Sequence, residues 1–116
     1  MTDTSAYTLI TDIATWTEPE PDRPAVTKLA TTPDCTLVRL CLRAGQGLDD
    51  HRTAGPVAIH CLSGAITVGV VQDNPVSHTL DAGAAIHLSA GLPHNVRADS
   101  DSIVLLTVFR PQRTAA

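Results

Sequence analysis

A chain of 116 residues is long enough for one hydrophobic core and too short for a second, since a domain of this size buries roughly two thirds of its unfolded surface. A formal charge of −4, with Lys28 as the only lysine and the arginines scattered, leaves no basic patch for nucleic acid. Aromatic residues make up 3% of the chain (Tyr7, Trp16 and Phe109), so the core must be built from Val, Leu, Ile and Ala, which suits packed strands.

The amino terminus has no basic segment followed by an apolar run, so no secretory leader is expected. The longest apolar runs, near 65–71 and 103–109, are strand-sized and far below the roughly 20 residues of a membrane helix. A soluble, cytoplasmic protein without a membrane partner is expected. Cys35, Cys41 and Cys61 are odd in number and form no C-x-x-C pair, so they read as reduced thiols.

Residues 1–34 read as an N-terminal arm. Leu9, Ile10, Ile13 and Trp16 fall on one side of a helix and predict two amphipathic turns. Pro19, Pro21 and Pro24 then exclude a long helix. From residue 35 to 110 the apolar period becomes two, and turn signals recur at intervals of roughly 8 to 12 residues. The runs are "CTLVRLCLRA", "LDDHRT", "PVAIHCLS", "AITVGVV", "SHTL", "AAIHLS", "HNVRA" and "SIVLLTVF". No gap between them holds a crossover helix, so the expected domain is an all-β sandwich or barrel, with 111–116 as a tail.

Alternation puts Thr36, Val38, Leu40 and Leu42 on the core face of their strand and Arg39, Cys41 and Arg43 on the other. Arg39 and Arg43 read as a solvated face. Val57, Ile59 and Cys61 point one way and Ala58 and His60 the other, while Ile66, Val68 and Val70 continue inward. "SIVLLTVF" is apolar on both faces, so its outer side needs cover from the arm or from a second subunit.

Gly45, five residues, His51, then "VAIHCLS" and Gly64, and further on "DAGAAIHLSAGLPHNVRA", resemble the two motifs of the cupin family. The resemblance spans residues 38–109 and implies a double-stranded β-helix, or jelly-roll barrel, and a homodimer. It also implies a barrel mouth where three histidines and a glutamate hold iron, manganese, zinc, nickel or copper, ions that suit imidazole and carboxylate donors. On this chain the first motif's leading histidine falls on His51 and the second motif's histidine on His94. Thr53 stands where the second histidine is expected and Val57 where the glutamate is. Ser89 replaces the proline of the second motif and Ala98 its last asparagine.

His51 and His94 are therefore the candidate metal ligands. Asp49, two residues before His51, could share its side of an extended strand. His60 and His87 are weaker candidates, since alternation turns both outward unless a bulge intervenes. Thr53, Val57, Ile59 and Cys61 are the expected lining of the ligand pocket, with Cys61 as a conceivable soft donor. His78 reads as exposed. No catalytic residue is assigned.

Three functions remain open at this point. One is a metal-dependent cupin of oxygenase or isomerase type with open coordination positions. Another is a metal-free cupin in which the two imidazoles act as acid and base. The third is a non-catalytic sensor whose pocket is the mouth. Valine in place of a carboxylate makes the mouth more apolar and favours a hydrophobic or aromatic small molecule.

Overall fold

The computed structural model describes residues 6–112, which form nine antiparallel strands in two sheets and no helix. In chain order they are β1 (Ala25–Thr31), β2 (Cys35–Leu42), β3 (Gly47–His51), β4 (Val57–Ser63), β5 (Ala65–Val70), β6 (Val76–Asp81), β7 (Ala85–Leu88), β8 (His94–Ala98) and β9 (Ser102–Phe109). One sheet has the order β1-β2-β9-β4-β7 and the other β3-β8-β5-β6. Chain neighbours such as β3 and β4 lie in different sheets, so the chain crosses repeatedly between them and closes a jelly roll.

The period-two pattern is what builds this sandwich. Val38, Leu40, Leu42, Val57, Ile59, Ile66, Val68, Val96 and Val104 point between the sheets and form one cluster. Gly64 occupies the β4–β5 turn with φ of +83°, where a Cβ would also strike the Asp101 carbonyl oxygen, so only glycine makes this turn without strain.

The strand β1 lies outside those expected from the sequence. Pro19, Pro21 and Pro24 end just before it, and a proline at the start of an edge strand forfeits no ladder bond. "AVTKLAT" then pairs with β2 from Ala25↔Cys41 to Thr31↔Thr36.

The amphipathic turns expected over Leu9–Trp16 do not form. The segment lies instead across the outer side of β2, and its backbone groups are taken by that strand. Arg39 Nη1 donates to the Asp12 carbonyl at 2.8 Å, and the Thr17 amide donates to Cys41 Sγ at 3.3 Å. A helix would need the Asp12 carbonyl for its own fourth-residue bond. Arg39 is consequently no solvated side chain: it is 5% exposed beneath the arm. Arg43 stays exposed and pairs with Glu18 and with Asp101, clamping the arm at the far end of β2.

Candidate functional site

His51 closes β3 and His94 opens β8, and the two are direct partners in the ladder joining those strands. Their ring centroids are 4.3 Å apart with planes tilted by 60°. Val70 lies on the other side of His94 in the same sheet. In the facing sheet Val57 is flanked by Leu88 and Val108. The β3–β4, β5–β6 and β7–β8 loops all leave from this end, which makes it the mouth of the barrel, where His51 is exposed while His94, Val57 and Leu88 are buried.

The loops are tied together through the main chain. Gly91 N donates to the Thr53 carbonyl, Val71 N to that of Pro93 and Phe109 N to that of Pro56, each at 2.9 Å. Thr53 donates its own hydroxyl to the Gly55 carbonyl, 2.7 Å away. Gly55 sits so close to β9 that a Cβ would strike the Phe109 carbonyl oxygen, which fixes the loop that follows His51.

Each imidazole is oriented by the backbone two residues before it. His51 Nδ1 lies 2.8 Å from the Asp49 carbonyl oxygen and His94 Nδ1 lies 2.9 Å from that of Leu92. A carbonyl oxygen only accepts, so Nδ1 is the donor in both rings, and in the neutral rings Nε2 carries the free lone pair. Neither Nε2 has a hydrogen-bond partner among the described residues. His94 is 2% exposed. His51 is exposed.

The other residues singled out from the sequence lie elsewhere. The register shifts between Leu48 and His51, so a bulge puts Leu48 and His51 inward together and breaks the alternation that would have carried Asp49 with them. Asp49 instead lines an outer cleft with Asp50, Asn95 and Arg97. Asp50 accepts from Asn95 Nδ2 at 2.8 Å, and Asn95 lies over the bare Cα of Gly69 on the outside of the sheet.

His60 and His87 keep the outward side that alternation gives them. His60 is half-buried between Leu105 and Ala85, while His87 is exposed, opposite Ala58, with its ring 6.3 Å from that of Phe109. Both are on the outer face of the sheet whose inner face closes the mouth. His78 is exposed on β6.

Val57, Ile59 and Cys61 are 2%, 1% and 0% exposed and belong to the core cluster. Val57 is level with the mouth, but Cys61 lies four residues further along β4, roughly 13 Å at strand rise, so its sulfur cannot join the histidine pair. Burial pushes the Cys61 thiol up from its ordinary value, which keeps it protonated and a poor metal donor. Among the described residues no group of three His, Cys, Asp or Glu side chains is arranged to hold a metal ion.

The backbone locks on the two imidazoles escaped sequence reasoning. They involve main-chain carbonyls, which have no side-chain signature, and depend on the bulge at 49–50 and on the turn at 89–92.

No curated protein sequence matches the chain. Among solved structures it is similar to an RmlC-like cupin from Desulfovibrio desulfuricans, at 23% identity over 91% of this chain and 100% of that one, with a TM-score of 0.76. The protein TT1209 from Thermus thermophilus is 24% identical over 88% of this chain and 98% of that one, with a TM-score of 0.74. SPY1581 from Streptococcus pyogenes, a protein of unknown function, is 24% identical over 94% and 100%, with a TM-score of 0.72. At these identities the likeness concerns the fold. Residues 38–109 match the family model of the cupin domain, from the β2 core face to the end of β9, and the chain thus belongs to the cupin family.

Proposed function

We propose that the mouth is a small-molecule site in which His51 and His94 act together on one ligand. The observation that carries this reading is the double lock: both Nδ1 atoms are committed to carbonyls, so two oriented Nε2 atoms remain for a ligand between neighbouring strands. Val57 and Leu88, buried at the same end, and half-buried Val108 make the surroundings apolar, which suits a ligand with an apolar or aromatic body.

A second reading, a divalent transition metal on the same two Nε2 atoms, is favoured by one feature. Metal-bound imidazoles characteristically donate their other N–H to a carbonyl or carboxylate, as both rings do here. The donor set nevertheless falls short of what such ions take from a protein, since Thr53 and Val57 occupy the positions of two ligands and no third donor joins among the described residues. Water or the small molecule would have to supply the rest. The metal is therefore not required for the first reading.

Protein purified without a histidine tag, assayed for first-row metals and screened for small-molecule binding beside His51→Ala, separates the two. Binding without bound metal, lost in the variant, supports the first reading. Stoichiometric metal lost in the variant replaces it with the second.

We also propose that the protein is a homodimer joined through the outer face of β9 and β4. Half-buried Leu105 and Phe109 on that face support this, and sedimentation velocity tests it.

A further inference from the structure

We infer that residues 10–18 of the arm form a strap that lifts from the outer side of β2 as a unit while the barrel stays folded. β2 pairs on both edges, with β1 and β9, so it has no ladder groups left for the arm. The strap is held by side chains of β2 instead. Besides the bonds to the Asp12 carbonyl and from the Thr17 amide, Arg39 Nη2 donates to Thr17 Oγ1 at 3.2 Å and Cys41 Sγ donates to the Thr15 carbonyl at 3.7 Å. Ile10, Ile13 and Trp16 are only half-buried, and none of them belongs to the hydrophobic cluster between the sheets, which closes without the arm.

The seat also carries a cost. Arg39 is 5% exposed, yet among the described residues no carboxylate pairs with it and its Nε is sealed without a hydrogen-bond partner. Burying a cation without a counter-charge forfeits solvation that bonds to neutral oxygens return only in part. Lifting the strap gives the guanidinium its water back, and the bonds at Asp12, Thr15 and Thr17 are exchanged for bonds to solvent. The base of the strap stays in place: Pro19 is buried, Gln46 Nε2 donates to the Glu20 carbonyl at 2.8 Å, and Glu20 pairs with Arg23. The latch is the exposed Arg43–Glu18 ion pair, with Trp16 beside the same guanidinium. Salt weakens such a pair. Once lifted, the strap bares Leu37, Arg39 and Cys41 next to their β9 partners Thr107, Leu105 and Ile103.

Cys41 and Cys61 report the opening. Both are 0% exposed, but Cys41 lies under the strap and Cys61 lies in the core cluster. The full chain is treated with iodoacetamide, and each thiol's rate is divided by its rate in the urea-unfolded chain. Without denaturant, Cys41 should react at least about a hundredfold faster than Cys61, as a local opening outruns a global one. Raising NaCl from about 0.05 M to about 1 M should speed Cys41 and leave Cys61 unchanged. Glu18→Gln, at an exposed position away from the mouth, should do the same at low salt. Equal rates at the two thiols, with the same response to urea, mean that the arm leaves only when the barrel unfolds and overturn the inference. A Cys41 rate that neither salt nor Glu18→Gln moves overturns it too, because opening then bypasses the latch.

Discussion

His51 and His94 meet across the β3–β8 ladder, but one is exposed and the other is 2% exposed. Substituting them should separate function from stability. His94→Ala removes a buried ring and leaves the Leu92 carbonyl without its partner, so a loss of about 2–3 kcal/mol is expected. His51→Ala at the surface should cost less than about 1 kcal/mol. Urea unfolding of the two variants checks this, and equal losses would mean that the two rings are not packed as described.

Arg39 should govern the arm. Its guanidinium donates to the Asp12 carbonyl at 2.8 Å and to Thr17 Oγ1 at 3.2 Å, so Arg39→Ala removes two bonds from a buried position. The expected cost is about 1–3 kcal/mol. Amide exchange should accelerate over residues 8–18 and stay unchanged in β5 and β8. An equal rise across all strands would show that Arg39 supports the barrel and not the arm.

Gly55 sets the entrance. Gly55→Ala drives a methyl group into the Phe109 carbonyl oxygen, and β9 is held on both sides, so the β3–β4 loop must move. A loss of about 1–3 kcal/mol is expected, with weaker ligand binding at His51. Crystallography of the variant with the loop undisplaced would refute this.

Cys61 gives the pH dependence a definite sign. Its thiol is pushed up by burial, so above about pH 8.5 the unfolded chain ionises this group while the folded chain retains the proton. The unfolded state then binds fewer protons, and stability falls as pH rises. Stability measured at pH 8 and pH 10 should drop more in the native sequence than in Cys61→Ala. Cys61 should also resist alkylation at neutral pH, being 0% exposed. An equal drop in both proteins would show that Cys61 does not contribute.

Strands β2 to β9 were legible because a half-buried strand writes its burial as alternation, as in Val57, Ile59 and Cys61 against Ala58 and His60. The same rule failed at Asp49, since one extra residue in a bulge reverses the side of everything beyond it. It failed at Leu9–Trp16 for another reason: Ile10, Ile13 and Trp16 have helical spacing, but Arg39 and Cys41 compete successfully for the backbone groups a helix would use. Proline spacing hid β1. At the mouth, the spacing of the motifs picked out His51 and His94, while their tautomers depend on carbonyls that no side-chain pattern records.

The proposed joint action of His51 and His94 is tested most directly by following all five histidines at once. Imidazole ¹⁵N chemical-shift mapping of the full chain during a small-molecule screen should show His51 and His94 shifting together with each bound compound. His60, His78 and His87, which lie on outer surfaces, should stay fixed. Compounds that move His60 or His87 and leave the His51–His94 pair untouched would place the site on the outer sheet and contradict a ligand-binding mouth.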